Sequence, residues 1–258
     1  MRREKNWRMQ CLILQREPIG ERDILVTVLT RDGEVREAIA RSAQQMPSKV
    51  RAGTLALSVS DCTFAPGRQQ WVLRNAYPML LFPAFSSSLP LMLFAGFWGA
   101  FFVRALGSEG DGRLYTIATR ALRDLHTALV GKEGDLLLAR RATGAWLKGL
   151  EVLGFAPQFR QCVRCDAQGD ITPLVGLSPS SGGIVCGPCL RELQDSRLLS
   201  SGAAKELALK RIPVAREDVL QLLRFLALFT GWQVEELRSY AKLVANALSE
   251  SLIAPAVS

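Results

Sequence analysis

The chain has one histidine, His126, in 258 residues. That scarcity excludes multi-histidine metal centres and leaves one residue for imidazole general-base chemistry, which removes much of the hydrolase repertoire. No GxxxxGK[ST] phosphate loop occurs, so no engine for ATP-driven work is visible. Long apolar runs are missing too. The uncharged stretch between Arg74 and Arg104 is interrupted by Pro78, Pro83 and Pro90. It leaves roughly 13 apolar residues where a bilayer needs about 20, and reads as a buried core helix. The basic start, Met1 to Arg8, is followed by polar interruptions before a signal-peptide core can accumulate, so a cytoplasmic protein is expected. There is no internal repeat and no long low-complexity tract.

What is present suits a folded protein: 48% of residues are hydrophobic and 22% charged. The length suggests one large domain or two smaller ones. The net charge is +8 and lies toward the N-terminus. Residues 1–80 hold 13 Lys and Arg against 8 Asp and Glu, whereas residues 162–258 hold 10 of each. A field of this sign attracts polyanions, although a solvated basic face looks the same in a sequence.

The first 80 residues read as five strands: Arg8–Arg16, Arg22–Thr30, Glu34–Arg41, Thr54–Phe64 and Gln69–Ala76. Leu55, Leu57 and Val59 alternate with Ala56, Ser58 and Ser60, the period of a half-buried strand. Arg31-Asp32-Gly33 and Ala65-Pro66-Gly67-Arg68 have hairpin-turn chemistry. Five strands in this length suit an OB-type barrel, though an SH3-like barrel has a similar strand count. Beyond Ser86-Ser87-Ser88 the period turns helical. Helices are expected at Pro90–Leu106, Gly112–Val130 and Asp135–Leu153, the last stopped by Gly154 and Pro157. A further pair is expected at Glu217–Thr230 and Gln233–Leu252, around Gly231. The fold class is therefore α+β, with a barrel at 1–80 and a helical domain at 81–258.

Four of the six cysteines form two CxxC pairs, Cys162/Cys165 and Cys186/Cys189. Two residues between cysteines let both sulfurs of one turn reach one ion, and two such turns complete a tetrahedral Zn²⁺ site. With four thiolates the site is closed and structural, one ion per chain, within a module at about 160–195. Four thiolates and Zn²⁺ sum to −2, and Arg160, Arg164 and Arg191 are close enough in sequence to offset that charge. Redox pairs or unrelated thiols are the alternative. Cys11 and Cys62 fall within strands and read as small core residues.

These parts resemble the RecO family, bacterial recombination mediators of DNA repair. The most specific likenesses are Gly20-Glu21-Arg22-Asp23-Ile24-Leu25-Val26-Thr27-Val28-Leu29-Thr30, Leu153-Gly154-Phe155-Ala156-Pro157, and Leu177-Ser178-Pro179-Ser180-Ser181-Gly182-Gly183 leading into Cys186. The resemblance implies an N-terminal OB-fold and a helical domain with an inserted zinc module. It also implies binding of single- and double-stranded DNA, annealing of complementary strands, help in loading recombinase, and partnership with RecR and single-stranded-DNA-binding protein. A cytoplasmic, nucleoid-associated, non-enzymatic protein with no membrane partner follows. Many relatives carry a dense basic run after strand three, whereas Ser42–Gly53 supplies only Lys49 and Arg51 here.

OB-folds contact strands across their second and third strands and through the first and fourth loops. By that geometry the DNA-contacting set is Arg16, Arg22, Arg36, Arg41, Lys49, Arg51 and Arg68. Trp7 and Trp71 read as barrel core, with base stacking the alternative. His126 reads as an ordinary helix residue. Asp166 and Asp170 read as turn residues rather than a nuclease pair. A zinc-ribbon adaptor that recruits proteins to nucleic acid, or a metal-dependent nuclease, are the competing classes.

Overall fold

A computed structural model describes residues 6–45, 48, 50–105, 110–167 and 175–253. Five strands come first: β1 (Trp7–Ile19), β2 (Asp23–Thr30), β3 (Val35–Ala40), β4 (Val59–Ala65) and β5 (Trp71–Leu80). They close into a barrel in the order β1-β2-β3-β5-β4, with β1 returning to β4. Every pairing is antiparallel except β3 with β5, which is parallel. That order and the single parallel contact are the OB topology, which removes the SH3-like alternative. The expected pairing of strands two and three is present, from Ile24–Ala40 to Leu29–Val35.

The barrel interior collects alternate residues from each strand, among them Cys11, Ile13, Val26, Val28, Ala38, Ala40, Cys62 and Phe64. Cys11 and Cys62 are fully buried there as free thiols, matching the core reading. Trp7 and Trp71 pack edge to face at 5.1 Å, and both lie against Phe64. They are half-buried at the margin of the core.

The fourth strand departs from the expectation. It starts at Val59 rather than Thr54, because Ala52–Thr54 form a 3-10 turn and Leu57 has a left-handed backbone, φ 64°. Leu57 N–H donates to the Ile13 carbonyl at 2.7 Å, opposite an irregularity in β1 between Ile13 and Gln15. The alternation at 55–58 is therefore that of a turn docked on a bulged strand.

Among the described residues seven α-helices follow, with a small sheet among them: α1 (Leu89–Ala105), α2 (Gly112–Val130), α3 (Asp135–Val152), α4 (Gly187–Glu192), α5 (Ser201–Ala208), α6 (Arg216–Gln233) and α7 (Arg238–Ile253). The sheet consists of β6 (Val175–Ser178), β7 (Gly183–Cys186) and β8 (Arg197–Leu199), in the order β7-β6-β8. The chain divides into two compact units. One comprises Met1–Ser87 with Trp98–His126, the other Ser88–Phe97 with Thr127–Ser258. No helix among the described residues is long and apolar enough to cross a membrane. In α1 the large side chains Phe94, Phe97, Trp98, Phe101 and Phe102 are buried, as a core helix requires.

α3 stops as its sequence demands: Gly154 is left-handed at φ 79°, and Phe155 N–H reaches back to the Leu150 carbonyl at 2.8 Å. Gly231 behaves differently from a helix breaker. α6 runs through it, because a Cβ at Gly231 would stand 2.6 Å from the Ala241 Cβ of α7. Its lack of a side chain lets two helices touch, and the chain turns later, at Glu235–Leu237. The unanticipated α5 is capped by the Ser200 hydroxyl, which accepts from Ala203 N–H at 3.0 Å. Buried Asp218 holds Ser200 through both its N–H and its hydroxyl.

Trp146 is fully buried at the centre of the helical unit, against Phe94 and Phe97, and its indole N–H donates to the Thr230 hydroxyl at 3.2 Å. Trp146→Ala leaves a large cavity and is expected to cost about 3–5 kcal/mol, whereas Trp146→Phe keeps most of the volume and should cost less. Denaturant unfolding followed by circular dichroism measures both.

Candidate metal centre and nucleic-acid interface

The two cysteine pairs come from unlike local structures. Cys162-Val163-Arg164-Cys165 is a tight turn, closed by Asp166, whose backbone is left-handed at φ 55°. Asp166 N–H donates to the Cys162 carbonyl at 3.0 Å, and its carboxylate accepts from Gln161. This is the turn role expected of Asp166; Asp170 lies outside the described residues. Cys186 ends β7 and forms the N-cap of α4, with Pro188 in the first turn and Cys189 just beyond it.

Backbone pairing brings the two turns together. Gln158 N–H donates to the Gly182 carbonyl, Ile184 N–H to the Gln158 carbonyl, and Val163 N–H to the Ile184 carbonyl, at 2.9–3.1 Å. The approach is so close that a Cβ at Gly183 would stand 2.2 Å from the Gln158 oxygen. The Ser-Pro-Ser-Ser-Gly-Gly segment is thus a hairpin turn built for backbone contact. Its Ser178 hydroxyl and Ser180 N–H both bond Asp195. Gln158 and Asp195 are the supporting residues that reading the sequence missed. Each acts across the chain fold, with no local signal to mark it.

The four Sγ atoms lie within 4.8 Å of one another, and Cys165 and Cys186 are 3.7 Å apart. A tetrahedron with metal–sulfur bonds of about 2.3 Å has an edge of about 3.8 Å, so the donor spacing fits one four-thiolate ion. All four are free cysteines; Cys162 and Cys186 are buried, Cys189 is half-buried and Cys165 is exposed. Burial works against a Cys162 thiolate. The N–H groups of Cys186, Arg164 and Cys165 outweigh it and bring the thiol down to about 6. Hydrogen bonding from Cys186, followed by burial, pushes Cys189 up to about 12. One sulfur is prepared as an anion while its neighbours resist further negative charge, a conflict that a divalent cation removes. Arg164, one of the three arginines expected to offset the charge, stands 3.8 Å from Glu192.

The barrel arginines fall into groups. Arg22 lies in the β1–β2 turn and Arg41 directly after β3, and these segments are joined where Gln44 bonds the Gly20 and Asp23 carbonyls and Ser42 N–H bonds Asp23. Both arginines are exposed. Arg16 is opposite Val26 on β1, half-buried, with its Nε buried and unpartnered. Arg36 lies opposite Val28, pairs with Glu34 at 3.0 Å, and holds its guanidinium 5.7 Å from the Trp71 ring centre. Arg68 is exposed in the β4–β5 turn, which Gln70 ties to Glu37 of β3. Arg51 is exposed before the 3-10 turn at Ala52–Thr54. Lys49 lies outside the described residues.

The thiolate cluster depends on the Gln158–Gly183 contact. Gly183→Ala should separate the two turns, lower bound metal well below one ion per chain and reduce the melting temperature, as Cys165→Ser should. Elemental analysis with thermal melting checks both, and a metal-replete Gly183→Ala protein of wild-type stability would contradict the assignment.

Comparison with known proteins agrees with this architecture. Residues 1–76 match the family model for Recombination protein O N terminal, and residues 102–241 that for Recombination protein O C terminal. The DNA repair protein RecO of Synechococcus sp. (strain JA-2-3B'a(2-13)) is 27% identical over 236 residues, covering 86% of this chain and 81% of the relative. That of Roseiflexus sp. (strain RS-1) is 28% identical over 241 residues, covering 86% and 80%. The same-named protein of Heliobacterium modesticaldum is 28% identical over 200 residues, covering 76% and 70%. Two family matches in chain order, spanning the barrel and most of the helical region, place this chain in the RecO family of DNA repair and recombination proteins.

Proposed function

We propose that this protein is a non-enzymatic recombination mediator. In this reading it binds single- and double-stranded DNA, anneals complementary strands, and helps load recombinase in the cytoplasm with RecR and single-stranded-DNA-binding protein. The observation that carries the reading is the OB-type barrel whose margin combines cations with aromatic rings, Arg36 over Trp71 beside Trp7. Guanidinium groups neutralise phosphates and aromatic faces accept unstacked bases, which suits single strands without demanding a sequence. Exposed Arg22, Arg41, Arg51 and Arg68, with half-buried Arg16, extend the basic surface in this reading.

Annealing needs two strands held with their charges screened, and no bond is made or broken in the protein. The side chains favour that economy. His126 packs its ring 5.6 Å from Phe82 and keeps Nε2 buried without a partner, a poor setting for a general base. Four soft thiolates favour Zn²⁺, and with every coordination position filled by protein the ion would organise the module rather than activate water.

Pairing of complementary oligonucleotides should accelerate at low salt with no nucleotide present. Reversing Arg22, Arg41 and Arg68 to Glu should abolish most of that acceleration and lower the slope of log affinity against log salt by about 0.7 per lost contact on single strands, at unchanged melting temperature. Fluorescence anisotropy and a strand-pairing assay measure these quantities. Binding without annealing would favour an adaptor, and strand cleavage a nuclease.

A further inference from the structure

We propose that a cleft between Arg31 and Arg123, within the barrel unit but away from the β1–β2 and β4–β5 loops, seats a phosphodiester segment of a single nucleic-acid strand. The inference deepens the DNA-binding reading and rests on it. The cleft has a volume of about 360 Å³ and is lined by Gln10 of β1, Arg31 of the β2–β3 turn, Met79 and Leu80 of β5, and Thr119 and Arg123 of α2.

Arg31 and Arg123 face this cleft with their charge uncompensated, as Arg22, Arg41, Arg51 and Arg68 do elsewhere on the barrel. The other arginines of α1–α3 are engaged: Arg104 bonds the Ala100 carbonyl, Arg113 pairs with Asp111, and Arg120 stands 4.0 Å from Asp124. Arg140 bonds the Ile212 and Pro213 carbonyls, and Arg141 pairs with Glu133. Among the described residues Arg31 and Arg123 have no carboxylate partner, and both are exposed. They also converge. Burial raises the pKa of the Tyr115 phenol in the cleft wall, with Cys11 adding to it, and Arg31 and Arg123 both lower it. Two uncompensated guanidinium groups facing one cleft repel each other until an anion sits between them.

The position of Arg31 is set by backbone rather than by a flexible loop. Gly33, at φ 87°, lies so close to the segment before α2 that a Cβ would stand 2.1 Å from the Asp111 backbone. At Gly110 a Cβ would stand 2.4 Å from Glu34 N, and at Gly112 3.1 Å from the Arg31 carbonyl. The hairpin tip is thus fixed against the start of the helix that carries Arg123, so little ordering is needed on binding.

The remaining wall suits a nucleotide better than a bare anion. Met79 in the cleft wall is 54% exposed, and Tyr77, 55% exposed, lies opposite Asp61 of β4, which in turn lies opposite the cleft residue Gln10 of β1. A ring this accessible, on the same face of the barrel as Gln10, offers a stacking surface to an unpaired base. The chemical class is therefore a single-stranded polynucleotide, with phosphate at the arginines and a base toward Tyr77.

The test is fluorescence anisotropy of the full chain with a labelled oligo-dT over a salt series. Arg31→Gln with Arg123→Gln should lower the magnitude of the salt slope by about 1.4, two contacts at about 0.7 each, with unchanged melting temperature; each single variant should remove about half. Tyr77→Ala should weaken binding several-fold at every salt concentration and leave the slope alone. Arg113→Gln with Arg120→Gln, the already paired arginines, is the control and should change the slope little. A double variant with the wild-type slope overturns the inference. If only the barrel-loop variants reduce the slope, DNA binding stands and this site falls. If the wild-type chain binds no oligonucleotide at low salt, both fall. If inorganic phosphate stabilises the wild type but not the double variant while oligonucleotide slopes match, the cleft takes a free anion and the strand assignment is overturned.

Discussion

Three residue pairs, Ala38–Trp71, Ile39–Val72 and Ala40–Leu73, join β3 to β5 in parallel and turn five strands into a closed barrel. Without them β3 and β5 would both be free edges, and an unpaired edge invites other chains to add to it. Closure also sets the surface. It brings the β4–β5 turn beside β3 and places Arg36 over Trp71. Small side chains permit it: Ala38 and Ala40 are fully buried on the strand that makes the contact, leaving the interior to Phe64, Val26 and Ile13.

The thiolate cluster plays the corresponding part in the other unit. Its module has a small apolar cluster of its own, Cys162, Val185 and Cys186 with a few half-buried neighbours. So small a core provides little hydrophobic stabilisation, and a metal bound by the two cysteine pairs would supply what burial does not. The N–H groups that stabilise the Cys162 anion come from both turns, Arg164 and Cys165 on one and Cys186 on the other. The electrostatics of the site therefore depend on the backbone contacts at Gln158 and Gly183 that align the turns.

Cation density alone is a poor guide to where a polyanion binds. The chain carries 32 Lys and Arg, but many are committed: Arg8 to Asp61, Arg113 to Asp111, Arg141 to Glu133, Lys210 to Glu151, and Arg140 to two carbonyls. Exposed pairs of this kind contribute little stability, yet each removes a cation from the surface offered to phosphate. Cations left without a carboxylate offer their full charge to phosphate, and only the folded arrangement identifies them.

Local chemistry in the sequence determined a good deal. Two turn signatures marked hairpins of the barrel, helical periodicity placed α2 and α3 nearly to the residue, and paired CxxC spacing identified the four clustered cysteines, because each of these depends on neighbours within a few positions. Tertiary structure decided the rest. The Leu55–Ser58 alternation became a turn because Leu57 pairs with Ile13, which no short window contains. Gly231 proved a point of helix contact instead of a breaker, since Ala241 is what it meets. Gln158 and Asp195 gained roles in supporting the cysteine module, and Arg31 and Arg123 came to line one cleft, by the same route. In each case the deciding partner lies across the fold, and close approach of backbones or charges has no signature in the residues on either side.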